Sequence, residues 1–201
     1  MKNRDQIFNS GEASGASGSF FFFSYDKRFI IKSMTEEELT LIQKILPSIY
    51  QHLKKYPNSL LARIYGVYRV QMKNYAPVNL IMMGNTLKFK RKDDIFRVYD
   101  LKGSRVARLV KGHNLKPTST LKDLNFFENM HLGQEVNLSK EDTKMLREQL
   151  YLDTQMLCEL NIMDYSLLLG IEKHDLNRPM LNHKSAGTFH IGGRTQFDEA
   201  T

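Results

Sequence analysis

Apolar positions in this chain change period several times, and each change marks an element. Phe20-Phe-Phe-Phe-Ser-Tyr25 has strand composition, Asp26-Lys-Arg28 reads as a turn, and Phe29-Ile-Ile-Lys-Ser33 predicts a second strand that carries Lys32. The two form a hairpin. Thr35-Glu-Glu-Glu38 has capping-box spacing, and Leu39, Ile42, Ile45 and Leu46 then share one helical face. Pro47 is expected to kink or restart this helix, whose apolar face continues through Ile49 and Leu53 to Tyr56-Pro57. Leu60–Val70 and Val78–Met83 read as strands, the second ending at Gly84-Asn85. This order predicts a small antiparallel sheet with one helix against it, and an inter-lobe break at Gly84-Asn85. Ile95–Leu101 alternates as a strand. Residues 112–138 read as loop-rich, with Leu121-Lys-Asp-Leu-Asn-Phe-Phe127 as the one apolar anchor. Ser139-Lys-Glu-Asp142 opens a long helix whose face carries Met145, Leu146, Leu150, Met156, Leu157 and Leu160, with Cys158 packing there as a small hydrophobe. That helix delivers the chain into Ile162-Met-Asp-Tyr-Ser-Leu-Leu-Leu-Gly-Ile171, too apolar for a surface loop. From Glu172 to Thr201 the pattern is polar and loop-like, with no terminal strand or helix expected.

Composition narrows the class. With 201 residues, 41% hydrophobic and 25% charged, the chain has the balance of a globular protein and length for one domain or two small lobes around a cleft. Its 29 Lys and Arg against 22 Asp and Glu give a net charge of +7, which favours anionic partners. Cys158 is the only cysteine, which excludes an intramolecular disulfide and a cysteine zinc site and leads us to expect a cytosolic or nuclear location. No apolar run approaches the ~20 residues that span a bilayer, and Met1-Lys-Asn-Arg-Asp-Gln6 has no apolar signal core. His174, His183 and His190 lack zinc-ligand spacing and read as exposed. Basic residues are not interleaved with aromatics as in a nucleic-acid module, so no nucleic-acid partner is expected.

The candidate chemistry lies at element ends. Gly11-Glu-Ala-Ser-Gly-Ala-Ser-Gly-Ser19 is either a flexible linker or a backbone cradle that offers N–H groups to phosphate oxygens. Lys32, on the strand that follows, is a point charge suited to phosphate. Glu38 either caps its helix or holds Lys32 in a charge pair. Lys102-Gly103-Ser104 is either a common turn or a second anion site, and Arg105, Arg108 and Lys111 read as a solvated basic face. Asp164 is a carboxylate at the edge of a buried strand. Positioned cations, N–H donors and one presented carboxylate are what phosphoryl transfer asks of a protein.

Phe96-Arg-Val-Tyr-Asp-Leu-Lys-Gly-Ser-Arg105 and Asn161-Ile-Met-Asp-Tyr-Ser-Leu-Leu-Leu-Gly170 resemble the phosphatidylinositol phosphate kinase family. Gly15-Ala-Ser-Gly-Ser-Phe-Phe, Phe29-Ile-Ile-Lys, Tyr65-Gly-Val-Tyr-Arg-Val, Met83-Gly-Asn and Leu121-Lys-Asp-Leu follow the family's order, over roughly residues 10–175. The resemblance implies an α+β, two-lobed relative of protein kinases: an N-lobe of antiparallel sheet plus helix over residues 1–86, a partial C-lobe over 87–175, and a loop-like tail over 176–201. It implies transfer of the γ-phosphoryl of ATP to the inositol ring of a phosphatidylinositol monophosphate, with Mg²⁺ bridging the phosphates.

Residue by residue, Gly15, Ser17, Gly18 and Ser19 match the family's phosphate-covering loop, and Lys32 the lysine on the ATP phosphates. Glu38 matches the lysine's acidic partner. Met83, Asn85 and Leu87 fall where the hinge meets adenine, and Lys102 lies in the basic motif near the phosphates. Asp164 matches the aspartate that orients or deprotonates the inositol hydroxyl. The family's next motif, Ile-Ile-Asp, supplies the metal-binding carboxylate, and no such string occurs between Glu172 and Thr201. The chain thus reads as a core shortened at both ends, with ATP binding expected and little turnover, or as a non-catalytic pseudokinase that binds nucleotide or acidic lipid. The resemblance also implies a place in the cytoplasm, peripheral to an anionic membrane, and raises a homodimer.

Overall fold

The computed structural model describes residues 19–87, 95–112, 115–131, 138–172 and 189–194. They build two four-stranded sheets joined by a helical layer. In the first sheet, β1 (Phe21–Phe23) and β2 (Phe29–Met34) form the expected hairpin, pairing Phe21 with Lys32. Its turn closes on Asp26 Oδ1, which accepts from Ser24 Oγ at 2.7 Å and from the Arg28 N–H at 3.0 Å. α1 (Glu36–Lys55) follows, then β3 (Ile64–Val70) and β4 (Val78–Gly84), giving the order β1-β2-β4-β3 with every pairing antiparallel.

α1 shows both halves of its capping box and buries Ile42, Ile45 and Ile49. At about 1.5–3 kcal/mol per buried isoleucine, this face outweighs any local defect. That explains Pro47, which lies inside an unbroken helix rather than restarting it. Proline removes one N–H bond, to the Gln43 carbonyl, but Ile45 and Ile49 are anchored in the core on either side of it.

The second sheet has the order β6-β5-β7-β8: β5 (Ile95–Leu101), β6 (Thr120–Leu121), β7 (Ser166–Glu172) and β8 (Phe189–Arg194). β5 and β7 are antiparallel, pairing Asp100 with Leu168, and β6 joins β5 in parallel. Between them lie α2 (Asp123–His131) and α3 (Lys140–Glu159). Tyr99, Leu121 and Leu169 form this half's own core.

Three sequence expectations change here. The segment read as loop-rich holds β6 and α2, and the apolar anchor at Leu121–Phe127 is the end of that strand and the start of that helix. β8 pairs along β7 inside the segment read as a loop-like tail; its polar, glycine-containing sequence hides a strand whose hydrogen bonds are supplied by β7. Cys158 is exposed, because Met156 and Leu157 take the core face of α3.

The two halves share a core. Met156, Leu157 and Ile162, from α3 and its exit, sit in one buried cluster with Met34, Ile42, Ile45, Ile49, Leu61 and Ile81. A buried carboxylate stitches the same seam: Asp153 accepts from His52 Nε2 at 2.6 Å, Ser59 Oγ at 2.8 Å, the Leu60 N–H at 2.7 Å and Gln149 Nε2 at 2.8 Å.

Candidate active site

Lys32 lies mid-strand on β2, opposite Ile81 of β4, and its side chain is almost wholly buried. Its Nζ donates to Glu38 Oε1 at 2.8 Å, while Glu38 Oε2 accepts from the Thr35 N–H at 2.8 Å. The two roles read for Glu38 are therefore not alternatives: one oxygen caps α1 and the other holds the lysine. A buried ion pair is a weak source of stability, because the desolvation cost offsets the attraction. Its clearer effect is to fix the ammonium's direction. Ser19 is buried at the foot of β1, and the adjoining Phe20 is pinned to β2 through its N–H to Ser33 Oγ at 2.9 Å. Gly15, Ser17 and Gly18 lie outside the described residues.

At the end of β4, Met83 packs against the shared core. Asn85 closes the break: its N–H donates to the Arg28 carbonyl at 2.8 Å, its Nδ2 to the Lys27 carbonyl at 2.9 Å, and its Oδ1 accepts from the Leu87 N–H at 3.2 Å. The strip expected to meet adenine is thus tied to the β1–β2 turn.

The second cluster forms where α3 ends. Leu160 is the C-cap, and Asn161 follows in the left-handed conformation at φ 54°. The Ile162 N–H reaches the Leu157 carbonyl at 2.9 Å and the Asn161 N–H reaches Cys158 at 2.9 Å, the bond pattern of a Schellman motif, with Ile162 packed into Leu157's cluster. Asn is the side chain after Gly that tolerates this backbone best. The motif turns the chain so that Asp164 emerges two residues past a buried anchor. Asp164 itself has φ 62°, a conformation costing of order 1 kcal/mol or more, which the surrounding packing must hold. Its carboxylate is half exposed and accepts from Lys102 Nζ at 2.8 Å. An open cavity of about 800 Å³ adjoins them, lined also by Ser104, Arg108 and Asn161.

Lys102 is placed by a residue not singled out in the sequence. Asp123, at the start of α2, accepts from the Lys102 N–H at 3.0 Å and the Gly103 N–H at 2.8 Å through one oxygen, and from Arg108 Nε at 2.7 Å through the other. Gly103 has φ 71°, in the left-handed region that glycine adopts without strain. Arg108 also donates to the carbonyl and carboxylate of Asp100. Arg108 is buried, so it is not part of a solvated basic face; two carboxylates brought from either side of it neutralise the charge. Burial pushes the Asp123 carboxyl up, but the Arg108 hydrogen bond and the Gly103 N–H outweigh it and hold the group below its ordinary value. The sequence signal for Asp123 was its place in the Leu121-Lys-Asp-Leu motif, which gave it no role.

Two carboxylate-held ammonium groups, one buried and one open to a cavity, give the site two directed cationic donors, each balanced by its partner carboxylate, and a half-exposed acceptor, Asp164. No hydrogen bond joins the two pairs among the described residues. Comparison with known proteins decides the lineage. The family model described as Phosphatidylinositol-4-phosphate 5-Kinase matches residues 2–199. The chain belongs to this family. Relatives within it include a probable phosphatidylinositol phosphate kinase of Dictyostelium discoideum, 40% identical over 181 residues, which is 89% of this chain and 24% of the relative. A phosphatidylinositol 4-phosphate 5-kinase of Schizosaccharomyces pombe is 38% identical over 86% of this chain and 22% of its own length. The type-1 beta phosphatidylinositol 4-phosphate 5-kinase of Mus musculus is 39% identical over 78% of this chain and 28% of its own. The chain spans about a quarter of the length of these curated relatives. As a member of the family it carries the α+β fold expected from its motifs.

Proposed function

We propose that this chain forms the nucleotide-binding and catalytic core of a lipid kinase that moves the γ-phosphoryl of ATP to the inositol ring of a phosphatidylinositol monophosphate. The observation that carries the reading is the pairing of both motif lysines: Lys32 held by Glu38 within the N-lobe, and Lys102 on the half-exposed Asp164. Lys32 binds the ATP phosphates, directed by Glu38. Ser19 belongs to the phosphate-covering loop with Gly15, Ser17 and Gly18, and Met83, Asn85 and Leu87 border the adenine. Asp164 accepts a hydrogen bond from the attacking inositol hydroxyl and takes its proton as the phosphoryl departs from ADP. Lys102, released from Asp164 toward the phosphates, offsets charge on the transferring group.

The family implies Mg²⁺ for such a transfer. Among the described residues no group of three or more His, Cys, Asp or Glu side chains converges, so these residues do not form a metal cage, and no step here is routed through one. Among them, too, no helix is long and apolar enough to cross a membrane. The lipid is reached from an anionic membrane surface on its cytoplasmic side; whether two copies of the chain pair there is read directly by sedimentation velocity.

Titration with ATP tests the nucleotide half: Lys32→Met should weaken binding at least about tenfold, the loss of one charge-assisted contact of ~1.5–3 kcal/mol. Transfer of labelled phosphoryl to vesicles containing phosphatidylinositol 4-phosphate tests the rest. Asp164→Asn should abolish it, and transfer that survives this change refutes the role of Asp164. Nucleotide binding with no transfer at all, in place of the low turnover expected of this chain, would instead favour a non-catalytic module.

A further inference from the structure

Residues 68–78, the end of β3, the turn and the start of β4, are exposed without interruption. Five of them are large and apolar: Tyr68, Val70, Met72, Tyr75 and Val78, with Met72 at 56% and Tyr75 at 68% exposure. This is not a slack loop. Val70 pairs with Val78, the Tyr75 N–H returns to the Met72 carbonyl at 3.2 Å, and Asn74 sits left-handed at φ 67°. Gln71 Nε2 spans the turn, donating to the carbonyls of Met72 at 3.2 Å and Tyr75 at 2.8 Å. The tip therefore satisfies part of its own backbone, which lowers the cost of leaving water. Arg69 docks the base of the hairpin on Glu36, at the N-terminus of α1.

Charge is the second observation. No Asp or Glu occurs between Glu38 and Asp93, a stretch that carries ten Lys and Arg and has this hairpin inside it. Exposed Tyr and Met beside Lys73, in an acid-free segment, is the composition of a protein surface that enters the headgroup region of an anionic bilayer. A second copy of the chain fits worse: two such segments placed edge to edge repel.

We infer that the β3–β4 hairpin is a wedge that enters an anionic lipid surface, burying Met72 and Tyr75 in the interface, with Lys73 at headgroup level. Ile81 lies opposite Lys32 and Val78 is three residues further along β4, so the wedge begins ~10 Å along the strand from the phosphate lysine at ~3.4 Å per residue. The inference deepens the membrane part of the proposed function and rests on it for the lipid substrate, but its test needs neither ATP nor phosphoinositide.

The chain has no tryptophan, so Tyr75→Trp gives a single emitter at the tip. With phosphatidylcholine–phosphatidylserine vesicles its emission should shift to the blue and be quenched by brominated lipid; with phosphatidylcholine alone it should not. Met72→Asp with Tyr75→Asp should lower vesicle co-sedimentation at least about tenfold, the scale of ~1.4 kcal/mol for two partly buried side chains, with the thermal midpoint unchanged. Co-sedimentation with no spectral shift would place contact elsewhere and overturn the wedge, as would wild-type binding by the double variant. A concentration-dependent dimer without lipid, lost in the double variant, would overturn it in favour of a second copy. Absent phosphoryl transfer alongside a blue shift would leave the wedge standing and refute only the kinase reading.

Discussion

Asp153 offers the most demanding test of how the two halves are joined. Its Oδ1 accepts from His52, Ser59 and Gln149, and its Oδ2 from the Leu60 N–H, all at 2.6–2.8 Å and with the carboxylate buried. Asp153→Ala strands a backbone N–H, a hydroxyl and an imidazole at the seam. Bonds to a charged acceptor are worth about 1.5–3 kcal/mol each but do not add within one network, so the figure for breaking a buried polar pair, about 3–5 kcal/mol, sets the scale. Against a total stability of about 5–15 kcal/mol that is a severe loss. For a chain of this size it lowers the midpoint of thermal unfolding by roughly 6–20 °C. Urea titration is the assay, with the slope unchanged if only the folded state is affected. Ser59→Ala alone should cost about 1 kcal/mol, and the double variant less than the sum, because both remove one contact. An Asp153→Ala loss under about 1 kcal/mol would refute the reasoning, since it would mean the stranded donors find water at no cost.

Three further outcomes follow from the site. Asp123 has its carboxyl held below the ordinary value, so its contribution is complete above the unfolded pKa of about 3.9 and lost as pH falls through the lower folded value. Asp123→Asn should therefore weaken the fold at neutral pH yet give a shallower decline below about pH 4; urea midpoints measured from neutral to acid check both. Thr35→Ala removes the acceptor for the Glu38 N–H and should cost about 0.5–2 kcal/mol in the same assay. Asn161→Gly should change stability little, whereas Asn161→Val should cost about 1–2 kcal/mol or more, because a β-branched side chain resists the left-handed backbone.

Local chemistry was legible; distant partnership was not. Thr35, Glu38 and Ser139 announced their helices through spacing alone, and the β1–β2 hairpin followed from its turn residues. Lys32 and Asp164 could be picked out because each stands at an apolar element and matches a motif. Arg108 could not be read correctly, since its neutralising partner Asp123 is 15 residues away and nothing between them signals contact. Asp153 carries no local sign of its role, because His52, Ser59 and Leu60 lie on α1 and the turn after it, about a hundred residues earlier in the chain. β8 stayed hidden for a related reason: a strand whose pairing comes from β7 needs no apolar alternation of its own. Pro47 shows a strong local rule answered by packing: the isoleucines around it keep α1 continuous where a restart could have begun.

Glu38 divides its oxygens between Lys32 and the Thr35 amide, and that makes three positions one unit of inheritance. Replacing Lys32 strands a buried carboxylate that still caps α1. Replacing Thr35 by Ala keeps its N–H for Glu38 but loosens the turn that aims it at the lysine. Replacing Glu38 removes the cap and the lysine's partner at once. Substitutions at 32, 35 and 38 are therefore epistatic: a change tolerated at one depends on what stands at the other two, so drift at a helix start is constrained by a lysine on the neighbouring strand.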